Sequence, residues 1–322
     1  MKKLRLSPQS IPVFASLAVL VALYACGCLT FNGFGSLRVL INLFGDNAFL
    51  GVAAVGITFV ILSGGIDLSV GAVVALSSML IASLIAHGFH PLAAIGIALT
   101  FGAAFGALMG GLIQLFELPP FLITLGGMFL ARGLGFVINP ESLSIEHPFY
   151  GDFISQTLSI PLTRKLSIPF TAVCLVVVVI AATMLARWSR FGRNVRAIGS
   201  SETSARLMGV PIARTKILVY ALGGFMSALG GVVATFYMQS GNPASFVGLE
   251  LDAIAAAVIG GTLLRGGVGF IPGTLVGVLI LGLIQTLIIF QGTLNSWWTR
   301  IVVGGLLFVF ILLQQLLARR KK

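Results

Sequence analysis

The stretch Ile168-Pro169-Phe170-Thr171-Ala172-Val173-Cys174-Leu175-Val176-Val177-Val178-Val179-Ile180-Ala181-Ala182-Thr183-Met184-Leu185-Ala186-Arg187 carries no charge until its last residue. A helix of about 20 mainly apolar residues spans the hydrocarbon layer of a bilayer, and this run reads as one crossing. Runs of the same kind recur in both directions, near 12–30, 48–62, 68–86, 92–116, 121–138, 214–236, 251–264, 271–290 and 298–316. With 168–187 they predict an all-α integral membrane protein of about ten transmembrane helices. Composition agrees: of 322 residues 57% are hydrophobic and 9% charged, whereas a soluble domain carries about 25% charged residues. No polar block is long enough to fold separately, so residues 1–322 form a single membrane domain.

The second and eighth runs are short and end at Gly64-Gly65 and Gly266-Gly267. They are expected to be broken or re-entrant, a backbone tolerated at membrane depth only where protein or a watery path covers it. The first run, from Val13 to about Leu29, is long enough to remain an uncleaved span, and bulky Tyr24 fits a signal-peptide cleavage site poorly.

The net charge of +11 is placed as a membrane protein places it. Ten crossings put both termini on one side. Every Lys and Arg except Arg38, Arg132, Arg164, Lys165 and Arg300 then lies on that side, with the loop at about 188–213; the positive-inside rule makes this face cytoplasmic. Asp46, Glu141, Glu146, Asp152, Glu250 and Asp252 fall on the opposite face, with the external loop at about 139–167. The charge therefore indicates membrane lipid rather than nucleic acid. Cys26, Cys28 and Cys174 sit in apolar runs and offer neither a disulfide framework nor a metal site.

Helices in lipid pack through small residues. Gly102, Gly106 and Gly110 recur every four residues, as do Gly269, Gly273 and Gly277, and each row is expected to align on one helix face. The regions Gly64-Gly65-x5-Gly71 and Gly266-Gly267-x5-Gly273 form a faint internal echo, of the sort seen where transporter halves repeat.

No lysine follows a glycine, so the chain has no phosphate-binding loop; it also lacks HExxH and GxSxG. It is read as no enzyme and as binding no cofactor or metal. Ser63, Asp67, Thr124, Gln239 and Gln285 are the candidates for lining a path, and together they suit a neutral, hydroxyl-rich solute; the same side chains would also serve simply to bond neighbouring helices. Trp297 and Trp298 read as interface anchors.

The basic loop reads Phe191-Gly192-Arg193-Asn194-Val195-Arg196-Ala197-Ile198-Gly199-Ser200-Ser201-Glu202-Thr203-Ser204-Ala205-Arg206-Leu207-Met208-Gly209-Val210-Pro211. Ser200 or Ser201 caps a short helix, Glu202 suits its first turn, and Gly209 and Pro211 stop it. The result is a rod about 12 Å long outside the bilayer. Ala205, Leu207 and Met208 give it an apolar docking surface.

At this point the chain resembles the permease subunits of bacterial sugar ABC importers of the ribose, galactose, arabinose and xylose type. The motifs that carry the resemblance occur in order over nearly the full length: Ser63-Gly64-Gly65-Ile66-Asp67-Leu68-Ser69-Val70-Gly71, Pro119-Pro120-Phe121-Leu122-Ile123-Thr124-Leu125-Gly126, Phe191-Gly192-Arg193-Asn194, and Glu250-Leu251-Asp252-Ala253-Ile254-Ala255-Ala256-Ala257-Val258-Ile259-Gly260-Gly261-Thr262. The resemblance implies an inner-membrane permease paired with a second permease, like or unlike, and a separate ATP-binding cassette ATPase holding ATP and Mg. It also implies an external sugar-binding protein. Gly192, Arg193, Asn194, Gly199, Glu202, Ala205, Arg206, Leu207, Met208 and Gly209 would then belong to the element that couples to the ATPase. Ser204-Ala205-Arg206-Leu207-Met208-Gly209 departs from the family habit of Ala-Ala-Arg-Leu-Ser-Gly. Within the family the chain is most similar to a permease of the galactofuranose-type importer. A branched-chain amino-acid ABC permease, an ion-coupled secondary transporter and a purely structural membrane protein are the competing readings.

Overall fold

The computed structural model describes residues 11–152, 160–163, 166–293 and 297–319. The terminal basic residues Lys2, Lys3, Arg5 and Arg320 to Lys322 lie outside the described residues, as do Arg164 and Lys165 of the external loop.

Each predicted run coincides with a helix: α1 (Ile11–Thr30), α3 (Ala48–Leu62), α4 (Val70–Ala86), α5 (Pro91–Leu115), α6 (Pro120–Ile138), α8 (Phe170–Trp188), α11 (Ile212–Met238), α12 (Leu249–Ile259), α13 (Ile271–Gln291) and α14 (Trp297–Arg319). Six of them, α1, α5, α6, α8, α11 and α13, are long and apolar enough to cross a membrane. A seventh span results if α2 (Leu37–Asp46) is joined to α3 across a bend of 53°. Ten crossings would require α4, α12 and α14 as well; Val70–Ala86 and the stretch Trp297–Leu312 of α14 are shorter apolar helices, and α12 has 11 residues.

The packing order follows from what each helix can bury. Within the crossing window of α11, 61% of the residues are buried, against 11% for α1, so α11 is central and α1 peripheral. Every residue of α3 except Phe49 is buried. A helix apolar on all sides belongs inside a bundle, and α3 lies against α11, α12, α8 and α13.

Close approach around α11 depends on glycine. A Cβ on Gly102 would overlap the Ala228 side chain, one on Gly106 would overlap the Tyr220 carbonyl, and one on Gly110 would come within 2.9 Å of the Tyr220 Cβ. All three meet α11. The second row divides: Gly277 of α13 presses on the Ala256 carbonyl of α12, and Gly273 on the carbonyl of Gly260 just after α12. Gly269 precedes α13, which starts at Ile271 with Pro272 in its first turn, and it faces Thr262 and Leu62 instead. The three glycines of that row therefore do not share one helix face.

The long connection at 139–167 holds short elements among its described residues. β1 (Leu143–Ser144) pairs antiparallel with β4 (Ser240–Gly241), and β2 (Ile160–Thr163) pairs with β3 (Leu166–Ile168). Between them α7 (Pro148–Asp152) is pinned by Tyr150, whose ring stacks on Phe236 at 4.7 Å and whose hydroxyl lies 3.1 Å from that of Thr235. Burial pushes the Tyr150 pKa up, opposed by the Thr235 hydrogen bond.

Candidate coupling surface and translocation path

The basic loop folds into two helices rather than the one rod expected. α9 (Arg190–Ser200) starts where the Ser189 hydroxyl accepts the Gly192 N–H at 2.9 Å. Gly192, Val195 and Ile198 turn inward, a spacing of three that holds one helix face against the bundle. That apolar face explains why the helix extends N-terminal to the expected cap. α10 (Glu202–Leu207) starts at Ser201, whose hydroxyl accepts the Ser204 N–H at 3.3 Å.

The coupling candidates accordingly divide between the two surfaces of this pair. Ala205 is fully buried and contributes nothing to an exposed face, whereas Leu207 and Met208 are 86% and 69% exposed. Arg193 and Arg206 are also exposed, and Asn194 is half-buried. Glu202 faces back, bonding Lys216 at 2.7 Å and Arg206 at 3.6 Å, and so fastens α10 to α11. Gly209 closes α10 with φ +75°, a left-handed conformation that favours glycine.

Gly199 marks the route from this surface into the bundle. A Cβ there would overlap the Leu62 carbonyl oxygen at the end of α3. The same carbonyl accepts the Gly267 N–H at 2.9 Å. A Cβ on Gly266 would lie 2.9 Å from the Gly64 Cα and 2.9 Å from the Gly199 carbonyl oxygen. The last turn of α9, the loop after α3 and the loop after α12 thus meet at one point through bare backbone. The two glycine pairs of the faint internal echo are therefore neighbours in space.

The loop after α3 carries the polar cluster. Ser63 bonds back to the Val60 carbonyl at 2.7 Å. The Asp67 Oδ1 accepts the Ser69 N–H at 2.8 Å and the Ser69 hydroxyl at 2.7 Å, which sets the start of α4 at Val70. Asp67 is fully buried, and its Oδ2 and the nearby Tyr220 hydroxyl have no hydrogen-bond partner. Thr124 of α6 leans on this loop, 3.4 Å from the Ile66 carbonyl, while also bonding its own helix at Pro120.

Ser63, Asp67 and Thr124 are thereby brought to one loop, but Gln239 and Gln285 are not. Gln239 caps the far end of α11 in a left-handed conformation, exposed, with its carbonyl accepting the Ile145 N–H at 2.9 Å. Gln285 is exposed on α13. Two polar groups that the sequence did not single out for a path complete the interior. Tyr220 is one. Glu250 is the other, buried at the head of α12 against the bare backbone of Gly71, with its Oε2 unpartnered. Near Glu250, Arg132 donates to the Pro243 and Ser245 carbonyls at 2.6 Å each. The pairing of Gly71 with Glu250 was available as two positions within the quoted motifs, though nothing in their spacing joins them.

Residues 39–311 match the family model described as the permease component of the branched-chain amino acid transport system. The chain belongs to this permease family. It is 49% identical over 309 residues to an inner membrane ABC transporter permease protein of Escherichia coli, covering 95% of this chain and 92% of the relative. It is 36% identical to a fructose import permease protein of Bifidobacterium longum, over 98% of this chain and 93% of that one. A ribose import permease protein of Bacillus subtilis is 38% identical, over 86% of this chain and 84% of the relative. No solved structure matches the chain. With these relatives and its apolar spans, the permease is a multi-pass protein of the bacterial inner membrane.

Proposed function

We propose that this permease is the membrane subunit of an ATP-driven sugar importer, with ten crossings, both termini cytoplasmic and α3 and α12 as its two short spans. The observation that carries the reading is the continuous path from the exposed Leu207 and Met208, through the bare contact of Gly199 with Leu62, to the loop holding Ser63 and Asp67. The relatives named for ribose and fructose import support a sugar as cargo. Galactofuranose is the finer assignment, carried by the resemblance of the motif set alone.

In this reading an ATP-binding subunit holds ATP and Mg and grips α10 at Leu207 and Met208. Closure of that subunit drags α9 and α10. Because Gly199 sits directly on the Leu62 carbonyl, the movement reaches both interior loops without an intervening side chain. A second permease, like or unlike, closes the path, and an external sugar-binding protein supplies the solute. A rigid-body switch of this kind moves solute because each state binds it differently.

Reconstitution in vesicles tests the proposal. Uptake of labelled sugar is expected only with the ATP-binding subunit inside and the loaded binding protein outside. Accumulation by the permease alone on an ion gradient would overturn it, as would a binding protein that takes branched-chain amino acids and no sugar.

A further inference from the structure

A cavity of about 470 Å³ opens between the end of α8, the outer side of α9 and the loop leading into α13. Thr183, Arg187, Arg196, Ser200 and the segment from Gly267 to Pro272 line it. Neither arginine has a carboxylate partner among the described residues, where the ion pairs are those of Glu202. A concave site of this size with two guanidinium groups that have no carboxylate partner suits an anion with several oxygens, and guanidinium is matched in shape to phosphate.

Its surroundings point to the source of that anion. The exposed stripe of α8 runs Val176, Ile180, Met184 and Trp188, spaced four apart and ending beside Arg187. Thr183 and Arg187 occupy the adjacent row of the same helix. An acyl chain lying along the apolar stripe would bring its headgroup to the cavity mouth, where the exposed Phe270 and Pro272 continue the apolar wall. We propose that this cavity holds the phosphate of an anionic phospholipid, with Arg187 and Arg196 as its ligands. Basic pockets between helices at the membrane face take such headgroups. The occupant would tie α8, α9 and the loop after α12 together at the point where the interior loops meet. The assignment stands independently of the transport reading, since it concerns binding alone.

Trp188 provides the readout. In a variant carrying W297F and W298F, Trp188 is the remaining tryptophan, and its quenching by brominated phosphatidylglycerol is compared with that by brominated phosphatidylcholine in mixed vesicles. Two arginines at a headgroup predict a preference of about thirtyfold for the anionic lipid. R187Q/R196Q is expected to erase the preference and R187K/R196K to keep most of it. R190Q/R214Q, which removes two exposed charges away from the cavity, should leave it unchanged. Circular dichroism of each variant checks folding. Equal quenching by both lipids overturns the proposal, and so does a preference that survives R187Q/R196Q. Loss of the preference in millimolar inorganic phosphate assigns the cavity to a soluble anion and overturns the lipid source. If R187Q/R196Q keeps the lipid preference but no longer co-purifies an ATP-binding subunit, the cavity is a protein contact and the lipid assignment fails.

Discussion

Gly106 and Gly111 stand five residues apart on α5 and are constrained by different things. A Cβ on Gly106 would overlap the Tyr220 carbonyl, whereas one on Gly111 meets nothing within 4 Å. Gly106→Val is therefore expected to lower stability by about 1–3 kcal/mol or more, since backbone cannot yield as a flexible side chain does. Gly111→Ala should stay within about 0.5 kcal/mol of wild type. Thermal unfolding of the detergent-purified protein, followed by tryptophan fluorescence, compares the two. Asp67 offers a second contrast, because its Oδ1 holds Ser69 while its Oδ2 is buried without a partner. Asp67→Asn keeps an acceptor for the Ser69 N–H and hydroxyl, so folding should survive. Asp67→Ala breaks both bonds at the start of α4 and is expected to cost about 1–3 kcal/mol.

At the scale of elements, the α9 and α10 pair separates docking from transmission. Leu207→Glu with Met208→Glu changes only the exposed end of α10. The expected result is normal insertion, loss of co-purification with the ATP-binding subunit and loss of uptake. Gly199→Ala acts one step inward, since its methyl group meets the Leu62 carbonyl and wedges α9 away from the interior loops. Co-purification should persist while uptake falls, with ATP hydrolysis no longer responding to the loaded binding protein. Gly209→Trp is expected to abolish uptake in an inserted protein, because φ +75° strains any residue with a Cβ and the ring alters the docking end. Unimpaired uptake in all of these variants would remove α10 from the coupling role.

The whole molecule makes a prediction about sidedness. With Cys26, Cys28 and Cys174 replaced, a cysteine at Leu207 and one at Glu141 should react with an impermeant maleimide from opposite faces of the membrane. Labelling of both from one face would contradict the ten-crossing layout. The same layout requires α3 and α12, of 15 and 11 residues, to count as spans although neither is long enough by itself. Both are largely buried in the bundle, and the loops that follow them meet where the Leu62 carbonyl accepts the Gly267 N–H.

Spans such as Phe170–Trp188 were legible because hydrophobicity and length are local properties, and a residue in lipid has no water to satisfy it. α2 escaped notice because Arg38, Asn42 and Asp46 interrupt its apolar residues, and only its 53° bend onto α3 gives it a place. Which polar residues share a surface was decided by the tertiary structure. Ser63, Asp67 and Thr124 converge, Gln239 and Gln285 do not, and Tyr220 and Glu250 enter from distant parts of the chain. The sequence alone determined that the chain belongs in a membrane, because that follows from solvation residue by residue. Only the tertiary structure brought Leu62, Gly199 and Gly267 to one point, because such a meeting depends on how three separate backbones pack.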